Sequence, residues 1–287
     1  MIFAWQGWRL SVPDEWNPVK LHGSFDAGYA LLSDIHRPRV GMRWTTPGKR
    51  FDSKAWARRV LVDEVGTLAA DEAETSEAKD WRDGWLYVEP KPPGRDVWVA
   101  TSVVSGRTIE IVHHVYEDEE SKLDSVREDL RDSSRDAGLK WSVFDLSCRS
   151  AAGWRLESHR LNAGDLSLEF CQGRERVVVR QIAVAHLALK RMTIERWLEE
   201  QMSARMSRYR PMGEVARVTM NALEGVGRRF ERRRQLLWNT GLPAKMVVMA
   251  LHDAIRDRLV FVEAKDQAAA EEFARSVGWS AREVSCR

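Results

Sequence analysis

The chain is poor in the residues that usually announce a chemistry. Its 287 residues include three cysteines, Cys148, Cys171 and Cys286, far apart and without a Cys-x-x-Cys pair. That spacing excludes a disulfide framework and a cysteine-rich zinc site as organising features. The longest unbroken apolar run, Met246 to Leu251, is far short of the ~20 residues a membrane-spanning helix needs. No basic stretch followed by an apolar one opens the chain, so no secretory leader is expected and the cytoplasm is the expected location. Also missing are the GxSxG elbow, the GxxxxGK[ST] loop, GxGxxG and HExxH, each of which places a nucleophile, a phosphate cradle or two metal ligands at a required spacing. No cofactor, metal or enzymatic activity is expected.

What is present is a soluble globular composition, 44% hydrophobic and 31% charged, in a chain long enough for two ordinary domains. The net charge of +2 hides an asymmetry. Residues 1–150 carry 21 Lys and Arg against 26 Asp and Glu, whereas 151–287 carry 24 against 17. An acidic half joined to a basic half can dock internally, dimerise head to tail, or offer one basic face to a polyanion.

Landmarks recur in the same order in both halves, which points to two copies of one module with a boundary near residues 141–152. Gly7-Trp8-Arg9-Leu10 is echoed by Gly153-Trp154-Arg155-Leu156. Two apolar strands around a polar turn follow, near residues 34–38 and 172–174. Next comes an amphipathic helix, capped by Asp52 or Ser53 in the first half and by Thr193 in the second. Trp56, Val60, Leu61, Val65 and Leu68 form one helical stripe; Ile194, Trp197, Leu198, Met202, Met206 and Tyr209 form the other.

Each half then reads as a further strand, a hairpin and a closing helix. The hairpins are Val97–Val104 with Arg107–Tyr116, and Met246–Leu251 with Arg258–Val262. The helices run from Asp118 to Ala137 and from Gln267 to Val277. The expectation is an α+β protein of two tandem antiparallel sheets covered by helices, each β-β-β-α-β-β-β-α. The acidic module covers 1–146 and the basic one 147–287.

The opening Trp8-Arg9-Leu10-Ser11-Val12-Pro13-Asp14-Glu15-Trp16 resembles the PsbP-like fold, a group that includes DcrB-like proteins and whose members begin with an aromatic strand running into a Pro-x-x-Trp turn. The resemblance implies a duplicated PsbP-like module, with no shared catalytic site and a role in binding or assembly.

Candidate chemical groups are few. His113 and His114 are adjacent on a strand and therefore point to opposite faces, unable to share one metal easily. Glu117 to Glu120 mark a helix start, where acidic residues favour the dipole. Cys171 reads as a small core residue. Of the 13 Trp, most fall at core positions, while Trp5 and Trp16 are candidates for a partly exposed anchor. The strongest binding signal is Arg228-Arg229-Phe230-Glu231-Arg232-Arg233-Arg234, with Arg205 and Arg208 upstream. Interleaved with Phe230, Tyr209 and Trp238, these arginines suit phosphate contacts with base stacking. The competing reading is a solvated face paired with acidic residues. The expected role is a non-catalytic interaction or assembly protein with a protein partner or self-association; the alternative is nucleic-acid binding through the arginines.

Overall fold

The computed structural model describes residues 1–49, 51–67, 70, 72–76, 79–89, 93–117, 119–205, 209–232 and 244–279; the side chains of 203–205 are left undescribed. Its contacts divide the described chain into two units, Met1–Asp145 and Leu146–Trp279.

In unit 1 the strands are β1 (Ile2–Trp5), β2 (Trp8–Ser11), β3 (Asn17–Gly23), β4 (Ala27–Ser33), β5 (Pro38–Thr45), β6 (Glu74–Ser76), β7 (Trp81–Tyr87), β8 (Gly94–Ser102), β9 (Thr108–Val115), β10 (Arg131–Asp132) and β11 (Leu139–Val143). Helix α1 (Ser53–Val65) lies between β5 and β6, and α2 (Leu123–Asp129) follows β9. Seven strands form one antiparallel sheet in the order β3-β4-β5-β9-β8-β7-β6. Strands β2, β1, β10 and β11 pair among themselves, β1 with β2 and β11, and β2 with β10.

Unit 2 contains β12 (Leu146–Ser150), β13 (Arg155–Asn162), β14 (Asp165–Gln172), β15 (Glu175–Ala183), β16 (Tyr209–Met220), β17 (Leu223–Arg232), β18 (Lys245–Asp253), β19 (Arg258–Ala264) and β20 (Gly278–Trp279). Its helices are α3 (Ala185–Ala188), α4 (Ile194–Arg205) and α5 (Gln267–Ser276). The seven-stranded sheet runs β13-β14-β15-β19-β18-β17-β16, and β12 pairs with β20. Both large sheets therefore have one strand order: a three-strand meander, a helical crossover, and four strands that return to lie against the meander's last strand.

The α+β expectation is overturned. The molecule is mostly antiparallel β, with 53% of the described residues in strands against 19% in helices, and its strands form three sheets. Two features account for the difference. Strands β6 and β16 were hidden because they lie on sheet edges and lack an alternating apolar pattern; most of β16 is exposed. The helix expected from Asp118 to Ala137 is broken into α2 and a 3-10 turn at Arg135–Ala137, because Leu130 turns extended and β10 pairs with Trp8 and Arg9 of β2; Asp118 lies outside the described residues.

The register of the repeat also differs from the one expected. Trp8 lies within β2, but Trp154 precedes β13, so the Gly-Trp-Arg-Leu echo joins unlike positions. The residue matching Trp154 is Trp16. The Trp16 N–H donates to Pro13 O at 3.1 Å and the Trp154 N–H donates to Ala151 O at 3.4 Å, one turn before β3 and one before β13. Both indoles are buried, so Trp16 is no exposed anchor, and neither is Trp5 at 1% exposure.

Each large sheet in turn packs a helix onto one face. Asp52 accepts from the Ala55 N–H at 3.0 Å and starts α1, whose Ala57, Val60 and Leu61 cover Val97, Val99, Val112 and Tyr87. In unit 2, Trp197, Leu198 and Met202 of α4 cover Val248, Ala250, Leu259 and Phe261. The opposite face of the unit 1 sheet is filled by indoles: Trp8 stacks on Trp81 at 6.1 Å, which meets Trp98 edge-on at 4.9 Å, and Trp8 also meets Trp44 at 6.4 Å.

Trp44 reaches this position because Gly28 lies opposite it; a Cβ at Gly28 would run into the Trp44 ring and the His22 carbonyl. Gly28→Ala is therefore expected to cost about 2 kcal/mol through displaced strand and ring. A loss of less than about 0.5 kcal/mol in urea unfolding would show that the site relaxes freely.

Candidate functional site

The arginine-rich stretch lies on β16 and β17 at the edge of the unit 2 sheet. Arg228 pairs with Glu199 of α4 and donates to Gly213 O at 3.1 Å. Arg229 donates to Gln267 of α5, and Arg210 pairs with Glu231 at 2.9 Å. Phe230 is 4% exposed and Tyr209 6%, both within the core cluster under α4, so neither ring is available to stack on a base. The stacking role expected for Phe230 is thus corrected: alternate residues of β17 point inward, and Phe230 is one of them. Arg205 ends α4 with its side chain undescribed, Arg232 closes β17, and Arg208, Arg233, Arg234 and Trp238 lie outside the described residues. The structure places Arg228, Arg229 and Arg232 on one strand and ties Arg228 and Arg229 to neighbours in the same unit.

The other expected groups are held in place by packing. His113 is buried, its Nδ1 3.7 Å from Asp96 Oδ2 and its ring 6.1 Å from Trp16. His114 faces the other side of β9, and burial pushes its pKa down. Among the described residues no group of three or more His, Cys, Asp or Glu could hold a metal. Burial pushes the Cys148 thiol up to about 12, and burial with Glu157 raises that of Cys171, so neither is a ready thiolate. Glu119 pairs with Arg39 rather than beginning a helix, and the Ser121 hydroxyl accepts from the Leu123 N–H at 3.1 Å where α2 starts.

Sequence reasoning missed the most open apolar surface of unit 2. The turns β16–β17 and β18–β19, the α3–α4 connection and Trp279 surround a groove of about 960 Å³. Met192, Ile194, Val218 and Leu223 line it, and Ile255 stands 93% exposed on its rim. The Asp257 carbonyl accepts from the Ala185 N–H at 3.1 Å, and its carboxylate accepts from the His186 N–H at 2.6 Å. These bonds tie α3 to the β18–β19 turn; Val184, 42% exposed, and Leu187, 59% exposed, lie on the α3 segment itself and do not line the groove. Val184 takes φ +61°, a left-handed conformation costly for a β-branched side chain. The clue in the sequence was Asp253-Ala254-Ile255-Arg256-Asp257, an isoleucine at the tip of a polar hairpin turn.

Two carboxylates on this groove, Asp253 and Glu195, are held ionised. Burial raises Asp253, but the Arg256 N–H and guanidinium outweigh it and keep its pKa below the ordinary value. A hydrogen bond from Thr193, at the start of α4, lowers that of Glu195. Neither has the raised pKa that a general acid working near neutrality requires.

No family model matches the chain. No curated protein matches it either. Among solved structures, the apo form of TplEi, an immunity protein of the T6SS of Pseudomonas aeruginosa, aligns over 97% of this chain and 96% of its own, with a TM-score of 0.34 and 10% identity. An alignment that loose carries no argument about fold or role. None of these comparisons lends support to a PsbP-like or DcrB-like module. No helix among the described residues is long and apolar enough to cross a membrane.

Proposed function

We propose that the chain is a non-catalytic interaction protein whose unit 2 groove receives an apolar side chain from a segment of a partner protein. The observation that carries this is the rim of the groove. An isoleucine 93% exposed at the tip of a hairpin turn costs solubility and confers no stability on the fold. The lining beneath is mixed, with Met192, Ile194 and Leu223 flanked by Arg217, Glu224 and Arg256, the apolar centre and polar rim of a protein-binding site. The arginines of β17 support this reading over nucleic-acid binding, because Arg228 and Arg229 are engaged within unit 2 and Phe230 is core.

The test is selection of a displayed random-peptide library on the immobilised chain, with Ile255→Asp as counter-target. Enriched peptides should share an apolar anchor and bind the Ile255→Asp variant at least about tenfold more weakly. No enrichment, or peptides that bind both forms equally, would remove the groove from consideration. Since Ile255 is almost fully exposed, the variant should keep its thermal midpoint.

A further inference from the structure

Unit 1 is acidic overall, yet one depression at its sheet edge has the opposite sign. It lies where β6 and β7 meet the first turn of α1, encloses about 660 Å³, and is lined by Lys54, Thr75, Ser76, Lys79, Trp81, Arg82, Asp83, Gly84 and Trp85. Three cations face a single carboxylate, and that carboxylate is already engaged: Asp83 accepts from the Ser53 hydroxyl at 3.0 Å. Lys54, Lys79 and Arg82 pair with no carboxylate among the described residues, whereas many of this protein's arginines do. Like charges gathered in one depression without a carboxylate partner repel one another and attract an anion.

The aromatic side of the depression is as specific as the charge. Trp85 is half-buried, with its ring 5.6 Å from the Lys54 ammonium. Trp81 is half-buried as well, one side of it anchored against Trp8 and Trp98. Gly84 precedes Trp85 on β7, and its missing side chain lets β7 approach the Ser76 carbonyl where a Cβ would collide. The lining thus combines two half-buried indoles, two ammonium groups, a guanidinium fork and the Thr75 hydroxyl. The volume lies within the range of small-molecule sites.

We infer that this depression binds a nucleoside di- or triphosphate, with the base against Trp85 and the phosphates on Lys54, Lys79 and Arg82. A phosphate chain takes charge-assisted hydrogen bonds from lysine and arginine, and a planar base gains about 1–3 kcal/mol by stacking on an aromatic ring. The site stands apart from the unit 2 groove and does not depend on its role.

Calorimetric titration of the full chain at low salt with ADP, ATP, adenosine and inorganic pyrophosphate tests the assignment. ADP or ATP should saturate with a dissociation constant below about 1 mM, and adenosine should bind at least about tenfold more weakly. Lys79 and Arg82 are exposed, so the Lys79→Glu/Arg82→Glu double variant should stay folded and lose at least about tenfold in nucleotide affinity. Trp85→Leu should reduce ADP binding to the level of pyrophosphate and leave pyrophosphate unchanged. No saturable binding of either nucleotide up to about 10 mM would overturn the proposal, as would equal binding by the charge-reversed variant. Pyrophosphate binding as tight as that of ADP would overturn the nucleoside part, leaving a site for phosphate alone.

Discussion

Arg107→Ala is expected to cost about 3–5 kcal/mol, the largest single loss in unit 1. The guanidinium is fully buried, pairs with Asp132, and donates to the carbonyls of Gln6 at 2.8 Å and Phe25 at 2.7 Å. It also lies 4.1 Å from the Trp8 ring centroid and 3.8 Å from that of Phe25. Burial pulls its pKa below the ordinary arginine value, and Asp132 works against that pull. Removing the cation leaves Asp132, 1% exposed, with an uncompensated charge. Asp132→Ala should cost a similar amount for the same reason, whereas Arg107→Met/Asp132→Leu, which removes both charges and keeps volume, should cost much less. Urea unfolding read by tryptophan fluorescence measures this, since Trp8 lies against the guanidinium. If the double replacement proved as damaging as either single one, the loss would belong to packing and to the carbonyl hydrogen bonds instead.

Raising the pH from 4.5 through 7 should cost unit 1 up to about 3 kcal/mol through Glu110 alone. Its carboxyl lies under α1 with a side-chain exposure of 3%, 3.3 Å from an Arg43 guanidinium that is itself largely exposed. Burial pushes its pKa up to about 7 from 4.5; Arg43 opposes this, while Glu64 and Asp63 add to it. The folded state holds the proton more tightly than the unfolded chain does. The favourable contribution is therefore complete below pH 4.5 and is lost as pH rises through 7. Glu110→Gln should match the parent near pH 4.5 and exceed its stability at pH 8, with the crossover visible in urea midpoints between those limits. Parallel pH profiles for the two proteins would show that Glu110 titrates normally.

The same residue separates the two units. Glu110 lies opposite Arg43 and Val99, and at the corresponding place in unit 2 Phe261 lies opposite Arg180 and Ala250. Likewise, the buried pair Asp96 and His113 corresponds to Val247 and Ala264. Unit 1 keeps ionisable groups inside its sheet where unit 2 is apolar. Unit 1 stability should accordingly be the more sensitive to pH.

Local patterns determined a good deal from sequence alone. The hairpins β8–β9 and β18–β19 were legible because apolar runs of strand length flank a polar turn. Helices α1, α4 and α5 were legible from their stripes, with caps at Asp52 and Thr193 that a few residues decide among themselves, although Tyr209, read as the last residue of the α4 stripe, opens β16. What depends on distant partners was not legible. Strand β10 is two residues long and exists because Arg131 and Asp132 meet β2 and Asp132 meets Arg107, more than twenty residues away. Strand β16 carries Arg210, Pro211, Gly213 and Arg217, an exposed edge that reads as a loop until β17 supplies its hydrogen bonds.

The candidate sites divide in the same way. The arginine run stands out in the sequence, yet the engagement of Arg228 and Arg229 is decided by Glu199 and Gln267, which only the fold brings near. The Ile255 groove and the Lys54, Lys79 and Arg82 depression have no contiguous signature, because their linings come from turns and strand ends dispersed along the chain. Periodicity and caps act over a few residues and are written in the sequence. Edge pairing, burial of charge and the gathering of surface groups are contacts across tens of residues, and these the tertiary structure alone decided.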